Sequence, residues 1–369
     1  MTDVTFITPP SEFLLDERVF MALGILKVAA SLESQGYTVS HMDLCGVANY
    51  MDVVNESTGK CFAITATTPQ MPAAIKIARS LRQKGKVIIG GPHVTLVNAA
   101  ARKENPKGRA FSAMEALLAN FDTVVAGDGE VAIKHAINEY GLIDADDPKS
   151  LLWQTSKDFT ESPLPARHLV DVESYRYKVD GERALSMISQ LGCPFECGFC
   201  GGRLSPMLRR VRTRTPQSVI AEMMHVHNTY GVRGMMFLDD ELNVNKGIVP
   251  LMKAIKDTGV DWRLRGFVKA ELFTDEQAEA MYSAGFRQLL CGFESAHPRI
   301  LKNINKKATL EDNTRMLRIA HKHGLKVKAL MSIGHPGESE ETILAIRDWL
   351  LTEKPDDFDC TVITVYQGT

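Results

Sequence analysis

The chain has 369 residues, with 43 Lys and Arg against 45 Asp and Glu and a formal charge of −2. This length allows two or three domains with separate cores, and the charge balance excludes the electrostatic footprint of a protein that binds nucleic acid or an anionic membrane. The N-terminus enters a strand-like Val4-Thr5-Phe6-Ile7-Thr8, no run of the sequence is apolar for long enough to span a bilayer, and the seven cysteines form no secreted disulfide framework. The expected setting is therefore cytoplasmic and reducing.

Residues 1–139 alternate β-rich runs with amphipathic helices. Strands are predicted at 4–8, 38–44, 61–65, 86–90 and 123–126, with helices such as 19–35 and 72–84, the latter stopped by Gly85. Five strands with helices on both faces make an α/β, flavodoxin-like (Rossmann-type) domain, whose ligands bind beyond the carboxyl ends of its strands. The loops at those ends are Pro9-Pro10, Thr65-Ala66-Thr67-Thr68-Pro69, Gly90-Gly91-Pro92-His93 and Gly127-Asp128-Gly129-Glu130. Small and glycine-bearing, they let backbone approach a bulky ligand, although glycine after a strand is also ordinary turn chemistry.

In order and spacing these loops resemble the cobalamin-binding domain found upstream of many radical S-adenosylmethionine (SAM) enzymes. The resemblance implies that Thr65, Thr67, Gly90 and Gly91 frame the cobalamin nucleotide tail, with His93, Gly127, Gly129 and Glu130 beside them. The Asp-x-His-x-x-Gly string that donates an axial histidine in some relatives does not occur, and His41 precedes Asp43 within a strand, so the lower face is expected to lack a histidine from that motif. His93 is expected in a capping or loop-bonding role.

Residues 140–183 are polar and proline-bearing and read as a linker. Pro165-Ala166-Arg167-His168-Leu169, followed by Tyr175, resembles the connector between cobalamin domain and barrel in that family. Over 184–369 the strand–helix alternation resumes six times, with strands expected at 185–191, 234–238, 261–267, 288–292, 326–333 and 359–365. Thr215-Pro216 opens one helix, Thr274 to Gln277 reads as a capping box, and Gly285 as a stop. The expectation is a partial (β/α)6 barrel with its site at the carboxyl ends of the strands.

Directly after the first of these strands come Cys193, Cys197 and Cys200, spaced Cys-x3-Cys-x2-Cys with Phe199 before the last. Three thiolates from one loop can hold three irons of a four-iron cube and leave the fourth open. The competing reading is a structural zinc loop completed by Cys291, Cys360 or a histidine; against it, structural zinc usually takes paired Cys-x2-Cys or His spacings. The triplet with its aromatic residue resembles the radical SAM superfamily, which implies a [4Fe-4S] cluster, SAM chelated at the open iron, and an external electron donor such as flavodoxin or ferredoxin.

Three further strand ends carry polar residues. Leu238-Asp239-Asp240-Glu241 stands where that family binds the SAM ammonium; it also reads as a solvated acidic loop. Cys291-Gly292-Phe293-Glu294-Ser295 resembles the family's Gly-x-Glu-Ser signature, with Ser295 alternatively a helix N-cap. Gly334-His335-Pro336-Gly337-Glu338 resembles the loop that brackets adenine, which assigns Gly334, Pro336 and Gly337 to SAM and Glu338 to a helix cap. Lys269 stands where relatives have arginine and keeps the charge without the bidentate fork. The run Arg209-Arg210-Val211-Arg212-Thr213-Arg214 has no interleaved aromatics, so a solvated loop or a contact with an anionic part of the substrate is preferred over nucleic acid.

The resemblance implies methyl transfer to an unactivated carbon of a small molecule, or else oxidative cyclisation or rearrangement with the same cofactors. A non-catalytic cofactor-binding sensor is the reading from another class. A tRNA methylthiotransferase would need a second cysteine triplet, which Cys45 and Cys61 do not supply. The final Tyr366-Gln367-Gly368-Thr369 resembles the start of a turn after which relatives continue, so the barrel is expected to be either short or truncated.

Overall fold

The structure is a computed structural model that describes residues 2–104 and 108–367. It divides into two compact units: residues up to Arg176 together with Leu204–Met207, and Tyr177–Arg203 with Leu208–Val365.

The first unit is built on six parallel strands, β1 (Val4–Thr8), β2 (Val39–Asp43), β3 (Cys61–Thr65), β4 (Lys86–Gly90), β5 (Thr123–Ala126) and β6 (Gly141–Asp144), in the order β2-β1-β3-β4-β5-β6. β1 is buried along its whole length, as a central strand covered on both faces must be, which accounts for a continuous Val-Thr-Phe-Ile-Thr rather than an alternating pattern. Phe62, Ile64, Ile77, Leu81, Val87, Ile89, Val97, Leu117 and Phe121 form one core cluster between this sheet and its helices. Strand order reverses between β1 and β3, so the crest above β1, β3 and β4 is the expected ligand edge.

The segment read as a linker contributes to this unit. Its β6 pairs with β5 from Thr123↔Gly141 to Ala126↔Asp144, a sixth strand beyond the expected five. Only Ile143 of its four residues is buried, so nothing periodic marks it against the polar neighbourhood. Further along, Ala166 N donates to Leu26 O at 3.0 Å, Arg167 is buried, and Tyr175 Oη donates to Asp43 Oδ2 at 2.6 Å.

The second unit holds β7 (Lys178–Val179), β8 (Glu182–Met187), β9 (Gln190–Leu191), β10 (Arg212–Thr213), β11 (Gly234–Phe237), β12 (Arg263–Val268), β13 (Phe286–Glu294), β14 (Lys326–Ile333) and β15 (Asp357–Val362). Its main sheet runs β15-β14-β13-β12-β11-β8-β7, six successive parallel strands plus an antiparallel β7, which is the expected half-barrel. The first barrel strand is shorter than predicted: it stops at Met187, and β9 turns away to pair antiparallel with β10.

Helix signals largely match. Thr215 caps its helix by accepting from Ser218 N, and Gly285 takes φ +107° where a Cβ would lie 2.6 Å from Trp262 O. Thr274 accepts from Gln277 N, but the buried Gln277 Oε1 has no partner, so the expected reciprocal box is a single cap. The basic run is a solvated loop only in its first part, where Arg210 is exposed; its second part turns inward. Arg212 is buried, Arg214 is ion-paired with buried Glu222, and Arg209 pairs with Glu196.

Candidate active site

The three-thiol loop is framed by backbone bonds within the second unit. Cys193 N donates to Leu208 O at 2.9 Å, Gly198 N to Ile304 O at 2.7 Å, and Cys200 N to Cys197 O at 3.0 Å. Asn305 Nδ2 donates to Glu196 O at 2.8 Å. Gly192 opens the loop at φ +86°, with Arg210 O 2.2 Å from the place a Cβ would take, so a side chain there is incompatible with the loop. Cys197 is buried, Cys193 half-buried and Cys200 exposed; burial pushes the Cys193 thiol up to about 12 and Cys197 above its ordinary range.

Thiols so desolvated become thiolates when a metal compensates the charge. Among the described residues no three His, Cys, Asp or Glu side chains converge on a single ion. A cube, whose thiolates bind separate irons, does not require the three thiols to converge on one ion. Of the proposed fourth zinc ligands, Cys291 is fully buried in β13 and Cys360 is exposed on the edge strand β15.

The acidic loop after β11 divides its labour. Asp239 Oδ1 accepts from Ser189 N at 2.7 Å while its other oxygen takes Ser189 Oγ, and Asp240 Oδ2 accepts from Gly192 N at 3.1 Å. These two carboxylates tie down the root of the cysteine loop. Burial raises the Asp239 carboxyl to about 7, which those bonds counteract. Glu241 is different: its Oε2 is buried without a partner, and burial raises it to about 7 against the pull of Lys306 and Lys269. A buried carboxylate with a free oxygen fits a cationic ligand group, such as an ammonium, and of the three acids only Glu241 offers one.

Lys269 is not available to grip a ligand carboxylate. Its Nζ lies 3.0 Å from Glu271 Oε1 and 4.3 Å from the centroid of the Phe195 ring, between the first two cysteines in sequence. Its backbone is clasped by Asn243, which accepts from Lys269 N at 2.8 Å and donates to Lys269 O at 2.9 Å.

Glu294 ends β13 at φ +64°, at a register shift against β14. A non-glycine residue held in the left-handed region at a strand end marks a functional position. Its Oε1 lies 3.3 Å from Lys306 Nζ, and Oε2 accepts from Ser332 Oγ at 2.8 Å. Gly292 makes room, because a Cβ there would lie 2.6 Å from Glu294 Oε1. Burial alone lowers the Lys306 pKa, but Glu294 and Glu241 outweigh it and hold the ammonium charged.

Ser295 is buried and accepts from His297 N at 3.1 Å; the helix cap is His297, whose Nδ1 accepts from Arg299 N, so the N-cap reading of Ser295 fails. In the next loop Gly334 and Gly337 take φ +95° and +86°, and Asn303 Nδ2 donates to Pro336 O at 2.8 Å. Glu338 accepts from Gly334 N and closes this loop, while Ser339 is the helix cap, contrary to the capping role expected of Glu338. His335 Nε2 lies 2.7 Å from Ser332 Oγ, and its ring centroid is 5.6 Å from that of Phe199. Sequence reasoning missed Lys306, Ser332 and His335 as site residues. Lys306 looks like its neighbours Lys302 and Lys307, and its burial is the only distinguishing signal.

The first unit uses its predicted residues more inwardly. Thr67 N and Oγ1 both contact Gln70 Oε1 at 2.9 Å, and His93 Nδ1 meets Thr68 Oγ1 at 3.0 Å, the loop-bonding role expected of it. Gly91 at φ +99° brings a would-be Cβ to 2.6 Å from Thr65 Oγ1, and Gly127 at φ +96° brings one to 2.6 Å from the Ala145 carbonyl carbon. Gly129 packs on Val28. Glu130 does not face a ligand: its carboxylate pairs with nearly buried Lys27 at 2.8 Å. The crest left by Thr65, Gly90 and Gly91 is small-residued, which fits a large planar ligand approaching backbone.

Residues 187–350 match the family described as the radical SAM superfamily, and this part of the chain is a radical SAM domain of an enzyme, which implies a [4Fe-4S] cluster and SAM. Among known proteins, an uncharacterized methyltransferase of Pyrococcus horikoshii is 28% identical over 99% of this chain and 81% of its own length. An anaerobic magnesium-protoporphyrin IX monomethyl ester cyclase of Cereibacter sphaeroides is 23% identical over 86% of this chain, which spans 54% of that relative. The fold matches the radical SAM methyltransferase TsrM from Kitasatospora setae, solved with cobalamin and a [4Fe-4S] cluster, at a TM-score of 0.73 and 16% identity, over 99% of this chain and 73% of that one. No helix among the described residues is long and apolar enough to cross a membrane.

Proposed function

We propose that this chain is a cobalamin-dependent radical SAM enzyme that transfers a methyl group to an unactivated carbon of a small-molecule substrate. The observation that carries the reading is the presence in one chain of a three-thiol half-barrel and a doubly wound unit with a small-residued crest at its switch point. The methyltransferase relative, and the likeness to a fold that holds both cofactors, support it.

Cys193, Cys197 and Cys200 would hold the cluster, Glu241 would take the SAM ammonium, and the Gly334 to Gly337 loop with Phe199 would flank the adenine. Thr65, Gly90, Gly91 and the His93 loop would receive the cobalamin. So bound, the cluster and SAM supply a reductively generated 5′-deoxyadenosyl radical for hydrogen abstraction, and cobalamin supplies the methyl group. The chain itself contributes the loop root tied down by Asp239 and Asp240 and, in Glu241, a desolvated carboxyl that an ammonium would draw into its anionic form.

The cyclase relatives favour a second reading, oxidative ring closure on the same scaffold. Anaerobic purification with added iron, sulfide and hydroxocobalamin, then SAM and a reductant, tests both. The proposal expects iron–sulfur and corrin absorption bands, 5′-deoxyadenosine, and transfer of labelled methyl from SAM to cobalamin. Release of 5′-deoxyadenosine without methylation of cobalamin favours the second reading. A cluster-loaded protein that releases none is a binding protein rather than an enzyme.

A further inference from the structure

The chain leaves the cysteine loop through Leu204–Met207, four residues that belong to the first unit, and resumes the second unit at Leu208. The short helix Pro206–Arg209 therefore starts in one unit and finishes in the other. That its far end frames a cluster rests on the radical SAM reading of the half-barrel.

The first N–H groups of a helix find no acceptor within it and need one from outside. Asp146, a buried acid of the first unit, supplies it: Oδ1 accepts from Met207 N at 2.9 Å and from Ser205 Oγ at 2.5 Å. Its Oδ2 pairs with Arg102, which also donates to Asp144 Oδ2 at 2.9 Å, while Asp144 Oδ1 accepts from Asp146 N at 2.9 Å. The ion pair orients the carboxylate, so its bonds to Ser205 and Met207 are charge-assisted and desolvated. The backbone behind it is equally constrained. Ala145 N donates to Ala126 O at 2.8 Å, and a Cβ on Gly127 would lie 2.6 Å from Asp146 N.

At its other end the same helix holds the opening of the cysteine loop. Leu208 O accepts from Cys193 N at 2.9 Å, Arg209 Nη2 donates to Pro194 O at 2.9 Å, and Nη1 of Arg209 pairs with Glu196. Met207 and Leu208 are joined by one planar peptide, so a displacement of the first is passed to the second. We propose that Asp146 is a positioning residue for the cluster: by fixing the start of this helix from the first unit, it sets where Cys193 stands among the three thiols. One of its oxygens serves the first unit's own Arg102, and the other is given to the segment that leads out of the cysteine loop.

The test compares the full chain with Asp146→Ala, Asp146→Asn and Glu130→Gln, all purified anaerobically. Before reconstitution, amide exchange over residues 191–210 is expected to be about tenfold faster in Asp146→Ala than in the wild type. After reconstitution with iron and sulfide, loss of iron to a chelator is expected to be faster by about tenfold or more in that variant. Asp146→Asn keeps an oxygen that can accept from Met207 N, and both rates are expected to return to within about threefold of wild type. Glu130→Gln breaks an ion pair elsewhere in the first unit and is expected to leave both rates unchanged. Wild-type rates in Asp146→Ala, no rescue in Asp146→Asn, or equal acceleration in Glu130→Gln overturns the assignment and leaves the radical SAM reading standing. A wild-type chain that takes up no iron or sulfide, with amide exchange responding as expected, overturns that reading and leaves the hold of Asp146 on the helix intact.

Discussion

The two strand crests of this protein are built from similar loops and used differently. In the half-barrel, several polar residues at the strand ends, Asp239, Ser295 and His335 among them, are buried, and some keep unpartnered atoms: Glu241 Oε2 and His335 Nδ1 have no partner, and Glu294 is held at positive φ. In the first unit, most polar residues at the strand ends are bonded inward, Glu130 to Lys27, Thr67 to Gln70, His93 to Thr68 and Thr95 Oγ1 to Gly127 N. On the proposed function, the difference separates reactivity from mere accommodation. Unmatched buried polar atoms stand at the strand ends of the half-barrel, whereas at the crest of the first unit the polar groups are satisfied and their neighbours small.

The strongest way to break this comparison is Cys197→Ala, which is expected to abolish iron and sulfide loading and 5′-deoxyadenosine release while leaving cobalamin uptake by the first unit unchanged; loss of both cofactors would show that the crests are not separable. Next in size is Glu130→Gln. Breaking a nearly buried ion pair destabilises by about 3–5 kcal/mol, read as faster amide exchange in β1 and β3, with no change in nucleoside binding by the half-barrel.

Glu241→Gln sharpens the contrast from the other side. It is expected to weaken SAM binding by about 1.5–3 kcal/mol in equilibrium dialysis without lowering the melting temperature, because the group removed has a free buried oxygen rather than a structural bond. A fall in stability equal to that of Glu130→Gln would mean that both acids are scaffold.

The smallest effect is that of pH on the first unit. Burial lowers the His41 pKa from 6.5 to about 4, an effect Asp43 opposes. The folded state thus takes up its proton later than the unfolded chain. The stabilisation is complete above pH 6.5 and is lost as pH falls towards 4, by about 2 kcal/mol at pH 5. Exchange of β1 and β2 amides between pH 7 and 5, corrected for intrinsic rates, measures it, and His41→Gln should flatten the dependence.

Much of the fold and of the site was legible in the chain itself. The cysteine spacing, the glycine-bearing strand ends and the two blocks of alternating strands and helices announce their elements because they depend on local geometry and periodicity. β6 was not legible: a four-residue edge strand with one buried side chain has no period to detect. Nor was the burial of Arg212 and Arg214, because a basic run looks the same whether its charges meet water or an internal carboxylate.

Sequence alone determined that three thiols share a loop after a strand, that acids and glycines stand at successive strand ends, and that two sheets with different cores succeed one another, since each rests on residue type and spacing along the chain. Tertiary structure decided which of those acids keeps a free oxygen, which lysine is drawn in to hold Glu294, and which nitrogen of His335 is left bare. Those outcomes depend on desolvation and on hydrogen-bond partners up to 50 positions away in the chain, as Ser189 is from Asp239, and such pairings exist only once the strands are side by side.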